Sequence, residues 1–121
     1  MIPEGTPALQ LDVSQADSGL APLATVSGEV DVSSAPALRD GLTELIAKGT
    51  SVVVDLTGVG FLDSTGLGAL VAARKAAEDL GVQLPLVCSS ERILKLFTIT
   101  GLDGVFTICG SVDEGQQLIA G

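Results

Sequence analysis

The chain has 121 residues, 46% of them hydrophobic, and a formal charge of −9 with no histidine. This length and composition fit one domain around one core and exclude an intrinsically disordered chain. The acidity excludes charge-driven binding to nucleic acid or to an anionic membrane surface, and no apolar run approaches the roughly 20 residues of a membrane span.

Residues 1–7, with Pro3, Gly5 and Pro7, read as a loose tail, and residues 8–121 as a single domain. The opening Met1-Ile2-Pro3-Glu4-Gly5 has neither the basic region nor the apolar stretch of a signal peptide, so a cytoplasmic protein is expected. Leu9, Leu11 and Val13 alternate with polar residues, the pattern of a half-buried strand at a sheet edge. Turn residues from Gln15 to Gly19 lead to a second strand over Leu23–Ser27, so the pair reads as an antiparallel hairpin. Gly28-Glu29-Val30-Asp31 follows.

Ser33 or Ser34 is placed to cap a first helix, with Pro36 in its first turn, and the plain reading of Asp31 is a carboxylate that bonds backbone N–H groups at the same helix start near Ser33. Leu38, Leu42, Leu45 and Ile46 recur at helical spacing, and Gly49 is the stop. A wholly apolar run from Ser51 to Leu56 predicts a strand buried on both faces. After the glycines of Gly58-Val59-Gly60, a helix is predicted from Ser64 to Leu80 and ended by Gly81, with Leu67, Leu70 and Val71 inward.

A fourth strand is expected over Val82–Cys88, although Pro85 cannot donate to a ladder. A third helix starts at Ser89 or Ser90, turns Ile93, Leu94 and Phe97 inward and stops at Gly101, leaving Leu96 and Ile99 partly off the stripe. Val105–Cys109 reads as a short last strand. Ser111-Val112-Asp113-Glu114 has capping-box spacing for a final helix to about Ala120. The expected fold is therefore α/β, with a mostly parallel, mixed sheet of about five strands, an N-terminal hairpin and about four helices.

Catalytic equipment is sparse. No lysine follows Gly66 or Gly68 as a P-loop requires, and Gly58-Val59-Gly60 lacks the third glycine of a dinucleotide fingerprint. Asp63-Ser64 has no paired carboxylate of the aspartic-protease kind, and a serine nucleophile has no histidine to activate it. Cys88 and Cys109 each end an apolar run and read as small buried residues; two thiols without histidine do not close a zinc site, and in the cytoplasm a disulfide between them is not expected. A binding or switching module is expected rather than an enzyme, and no cofactor.

Asp63-Ser64-Thr65-Gly66 sits where a helix begins, which exposes a hydroxyl beside free backbone N–H groups. Two uses fit: a plain helix cap, or a corner where a phosphate meets those donors and the positive end of the helix dipole. Asp55, at the end of a buried strand, raises a receiver-like alternative, but such a domain needs an acidic pair after its first strand and a lysine near the phosphate, and the first strand here is an edge candidate that carries only Asp12.

Three pieces in this order resemble the anti-sigma factor antagonists of the STAS domain family. They are Gly28-Glu29-Val30-Asp31, Val53-Val54-Asp55-Leu56 leading through Phe61 into Asp63-Ser64-Thr65-Gly66-Leu67-Gly68, and Leu94–Leu102 with Thr100-Gly101-Leu102. The likeness covers about residues 8–119. It implies a protein that binds an anti-sigma factor serine kinase, frees a sigma factor, is released when the kinase uses ATP to phosphorylate Ser64, and is reset by a serine phosphatase. It further implies that Asp31, Asp63, Thr65, Gly66 and Leu67 meet the partner, with Thr65 a second candidate acceptor, and that the protein acts as a monomer away from membranes and nucleic acid. Two alternatives stay open: a non-switching STAS module in a transporter, lipid-transport or sensor complex, and a nucleotide- or anion-binding module.

Overall fold

The structure is a computed structural model that describes residues 9–14 and 21–120. The expected tail over residues 1–7, the domain boundary at residue 8 and the turn from Gln15 to Gly19 lie outside the described residues. In chain order the elements are β1 (Gln10–Ser14), β2 (Leu23–Val30), α1 (Ala35–Ile46), β3 (Val53–Leu62), α2 (Ser64–Leu80), β4 (Leu86–Val87), α3 (Glu91–Ile99), a 3-10 turn (Leu102–Gly104), β5 (Ile108–Cys109) and α4 (Val112–Ala120). The five strands form one sheet in the order β1-β2-β3-β4-β5. β1 is an antiparallel edge strand on β2, and every later pair is parallel. The α/β class, the hairpin and the four helices are as the periodicity predicts.

One face of the sheet carries most of the core. Ala24, Val26, Val54, Leu56 and Leu86 point to it and are buried with Leu38, Leu42 and Ile46 of α1, Leu70 and Ala73 of α2, and Ile93 and Phe97 of α3. Phe97 meets Phe106 edge to face, with ring centroids 5.5 Å apart. α4 covers the other face. Its Gly115 lies over Val53, where an added Cβ would sit 3.0 Å from Val53 Cγ1. The buried Gln116 clamps the segment before β2, accepting from Ala21 N–H and donating to Ala21 C=O, each at 2.9 Å. Cys88 joins the first face, whereas Cys109 lines a cavity with Glu114 and Leu118 of α4. The two thiols are thus on opposite sides of the sheet. Burial pushes both pKa values up, aided at Cys109 by the charge of Glu114.

Several boundaries differ from the sequence expectation. β2 continues past Ser27 to Val30, and β3 past Leu56 to Leu62, because the glycines absorb bulges instead of ending the strands. The register jumps between Thr25 and Ser27 and again between Gly28 and Glu29, where Gly28 has φ 89°. Gly58 permits the first jump: a Cβ there would lie 2.9 Å from Ser27 Cβ. β4 shrinks to Leu86–Val87 because Pro85 accepts from Val54 N–H through its carbonyl and has no N–H to return. β5 shrinks to Ile108–Cys109, since Val105 and Phe106 turn their N–H groups back to Leu102 C=O.

α2 runs from Ser64 to Leu80 with Gly81 as its left-handed cap, as expected. Its inward face is Leu67, Leu70, Ala73 and Ala77; Val71, expected inward, is 39% exposed. In α3, Ile93 and Phe97 are buried, Leu94 and Leu96 are half-buried, and Ile99 is exposed. Ser111 caps α4, accepting from Glu114 N–H, while Glu114 accepts from Gly110 N–H.

Two glycines of α2 stand in opposite environments. A Cβ on Gly66 would overlap Leu62 and approach Val30 Cγ1 to 2.9 Å, whereas one on Gly68 would meet nothing within 4 Å. Gly66→Ala is therefore expected to destabilise by about 1–3 kcal/mol through overpacking. Gly68→Ala is expected to stabilise by about 0.5–1 kcal/mol through helix propensity. Urea melts of the two variants, read for opposite signs, check this.

Candidate functional site

β2 and β3 end side by side. Val30 is paired with Leu62, and Asp63 N–H donates to Val30 C=O at 3.3 Å, so Asp31 and Asp63 leave the sheet as neighbours. Each then starts a helix by the same device. Asp31 Oδ1 accepts from Ser33 N–H at 3.0 Å, Ser33 Oγ at 2.6 Å and Ser34 N–H at 3.3 Å. Asp63 Oδ1 accepts from Thr65 N–H and Gly66 N–H, both at 3.0 Å, and from the Thr65 hydroxyl. An aspartate followed two residues later by a hydroxyl residue has built both caps.

Of the residues that the sequence offers at the start of α1, Asp31 and not a serine supplies the carboxylate bonds. Ser34 makes no capping bond; its hydroxyl donates to Glu29 C=O and accepts from Asp31 N–H, while the carboxylate of Asp31 does the capping. The signal was present in Asp31-Val32-Ser33, which repeats the spacing of Asp63-Ser64-Thr65.

These bonds hold both carboxyls below the ordinary aspartate range. For Asp31 the chief cause is the Ser33 hydroxyl, followed by Ser33 N–H. For Asp63 it is the Thr65 hydroxyl, then Gly66 N–H, opposed in small part by the charge of Asp31. Two ionised carboxylates therefore face one corner.

The two hydroxyls of the corner are not equivalent. Thr65 Oγ1 is committed to Asp63. Ser64, at the first position of α2, is exposed, and its Oγ makes no hydrogen bond with the described residues. The backbone donors are also largely taken: Thr65 and Gly66 N–H serve the Asp63 carboxylate, and Leu67 N–H serves Asp63 C=O. The anion cradle expected from the sequence is thus occupied by the protein's own cap, which removes most of the basis for a free-anion site. Gly66 and Leu67 lie buried beneath the corner, against Val30 and Leu62 in the case of Gly66, so they seat the helix and present no side chain to a partner. Val32 and Phe61 flank the corner, 72% and 44% exposed.

Asp55 is not at a strand end. It lies within β3 and accepts from Thr57 N–H at 2.9 Å and Thr57 Oγ1 at 2.7 Å, the local bonding that the plain reading of this residue implies. A receiver-like acceptor is not supported. No helix among the described residues is long and apolar enough to cross a membrane.

The family model of the STAS domain matches residues 15–115. The chain belongs to the STAS domain family. The STAS chain is 37% identical over 109 residues to the anti-sigma-B factor antagonist of Bacillus subtilis, a match spanning 90% of this chain and 98% of that protein. It is 38% identical over 84 residues to the anti-sigma-B factor antagonist of Listeria monocytogenes, covering 69% of this chain and 74% of the other. Among solved structures, an anti-sigma factor antagonist from Mycobacterium paratuberculosis superimposes with a TM-score of 0.77 at 26% identity, covering 94% of this chain and 96% of that one. The phosphorylated form of the Bacillus cell fate determinant SpoIIAA shares the fold, with a TM-score of 0.64 at 21% identity over 89% of this chain and 96% of that one. By name these relatives are regulatory proteins rather than catalysts.

The Asp63 cap has a pH signature. Its folded-state pKa is lowered, so its contribution is fully present above the unfolded value of about 3.8 and is lost as pH falls through the folded value below that. Asp63→Ala is expected to melt at a lower temperature than wild type at pH 7. The gap should close as pH drops below 3.8, where the wild-type carboxyl is protonated too. Paired thermal melts from pH 7 to pH 2 measure the gap.

Proposed function

We propose that this STAS domain is an anti-sigma factor antagonist switched by phosphorylation of Ser64. Unphosphorylated, it binds an anti-sigma factor that is also a serine kinase, and a sigma factor is freed. The kinase transfers the γ-phosphoryl group of ATP to Ser64 Oγ: the new O–P bond forms as the bond to ADP breaks. A serine phosphatase hydrolyses the ester and restores the binding form.

The observation that carries this reading is the contrast between the two hydroxyls. Ser64 Oγ is exposed and unbonded at the rim of the corner, while Thr65 Oγ1 is held by Asp63. The name of the Bacillus subtilis relative, which matches 90% of this chain, supports the antagonist part of the reading. The chain supplies no base for the transfer: it has no histidine, and the neighbouring carboxylates have lowered basicity. The base must come from the kinase, as a substrate protein requires.

Release follows from charge. A phosphate adds about −1.5 to −2 units beside two ionised carboxylates, in a chain already at −9. A partner packed on the corner would have to desolvate that dianion, whose N–H donors are already engaged. A differential of about 2.7 kcal/mol suffices for a roughly 100-fold loss of affinity. No refolding is required.

Ser64→Ala is expected to bind the kinase and to stay bound when ATP is added, and Ser64→Asp to bind poorly. Thr65→Val should still be labelled on Ser64. Mapping the acid-stable phosphoester by mass spectrometry after incubation with kinase and ATP decides between acceptors; label on Thr65, or tight kinase binding by Ser64-phosphorylated protein, overturns the mechanism.

Asp31 is proposed to contribute charge to partner recognition besides capping α1. Asp31→Asn keeps a capping oxygen and removes the charge, so it should melt close to wild type yet bind the kinase more weakly. Unchanged binding confines Asp31 to the cap.

A further inference from the structure

A groove of about 350 Å³ opens between α1 and α2 next to the Ser64 corner. Val32, Pro36 and Arg39 form one wall, and Thr65, Gly68 and Ala72 form the other. We propose that this groove seats a segment of the anti-sigma factor kinase that brings one apolar side chain and one carboxylate, with its backbone in close approach at Gly68. The proposal rests on the functional reading of Ser64 given above.

Three observations on separate residues converge here. The first is apolar exposure: Val32 stands 72% exposed at the rim, one residue after the Asp31 cap, with Pro36 and Ala72 continuing the apolar walls above the buried Ala35 and Ala69. The second is charge. The whole chain has 15 acidic and 6 basic residues, yet Arg39 is the charged residue in the groove walls. Its own pairing is with the adjacent Asp40 at 3.3 Å, and both side chains are more than half exposed, at 51% and 72%. Such a surface pair holds the guanidinium weakly and leaves it free to turn toward an incoming carboxylate. The acceptor is therefore acidic, although the chain as a whole is acidic too.

The third is Gly68. It sits inside α2, where glycine is less favourable than alanine, and nothing among the described residues needs the missing Cβ. Gly66, two residues earlier, is required by Leu62 and Val30; Gly68 has no such neighbour. The space it leaves open faces outward. Ser64, Gly68, Val71 and Lys75 follow one another at helical spacing on the exposed side of α2, so a body that approaches Gly68 also lies over Ser64. A kinase must hold this helix close enough to reach Ser64 Oγ, and a missing side chain one turn on allows that approach.

The test uses the kinase purified on the wild-type chain and shown to label Ser64 with ATP. Its affinity is measured by calorimetry for wild type, Gly68→Ala, Arg39→Glu and Gly104→Ala, each also melted thermally. Gly104 likewise has open space around it and lies far along the chain, in the 3-10 turn. Gly68→Ala should melt at or above the wild-type temperature and bind at least about tenfold more weakly. Arg39→Glu should melt like wild type with a similar loss, and Gly104→Ala should bind normally. Full-strength binding by either groove variant, with Ser64 labelled as in wild type, overturns the groove and leaves the switch intact. A homodimer that Gly68→Ala dissociates would place a second copy there and also overturn it. A wild-type chain that no kinase labels on Ser64 overturns the functional reading itself.

Discussion

The parallel pairing of β2 with β3 is the constraint on which the site depends. With Val30 opposite Leu62, the residues that follow each strand emerge as neighbours, and both are aspartates. The pairing arrives at this register only because the bulges shift β3 against β2 along the way. Without those shifts, Asp63 would lie beside a different residue, and a one-residue slip would also turn buried side chains to the opposite face. Gly66 completes the fit. Its lack of a side chain lets α2 begin directly against Leu62 and Val30, so the corner is held by core packing below and by two carboxylate caps above.

The same bonds that build the corner sort its hydroxyls. A residue two positions after a capping aspartate has both its N–H and its hydroxyl drawn to the carboxylate, as Ser33 and Thr65 are. The residue one position after the aspartate points elsewhere and keeps its side chain free; here those residues are Val32 and Ser64. Capping is thus left to Asp63 and Thr65, and the hydroxyl proposed as the acceptor takes no part in it. Of the two uses of the Asp63 segment that the sequence left open, the plain cap is realised by Asp63 and Thr65, and the donors that a phosphate would have met are taken by it.

Much of this was legible in the chain itself. The boundaries of α2, its Asp63 cap and Gly81 stop, the edge hairpin and the inward stripe of α1 all rest on local signals that the packing respects. The failures share a cause: they lie where tertiary pairing overrides local preference. Gly58 and Gly60 look like strand breakers, yet the neighbouring β2 strand supplies hydrogen bonds that carry β3 through them to Leu62. Val82–Cys88 looks like a full strand, but the β3 ladder finds no donor at Pro85 and only a dipeptide pairs as strand. Val71 fits the apolar stripe by type but falls on the outer side of α2. The Asp31 cap is legible as the plain use of that residue, but two serines closer to the helix compete with it in the sequence. The closure of the anion cradle could not be read at all, since it depends on which N–H groups Asp63 reaches.

That closure determines how a phosphate would be felt. At an open helix N-terminus an anion gains from both the dipole and the free N–H groups. Here the dipole remains, worth at most about 1 kcal/mol at an exposed end, while Thr65 and Gly66 N–H are spent on Asp63. A phosphate on Ser64 would therefore stay hydrated and projecting instead of folding back onto the helix. Projection suits a switch better than capture. A captured phosphate would be partly neutralised and hidden, and the partner would meet a surface little changed. A projecting one presents its full charge to whatever packs on the corner, and the cost of stripping its water, several kcal/mol per ion, falls on the complex and not on the free domain. The cap that holds α2 in place would also keep a phosphate on Ser64 outside.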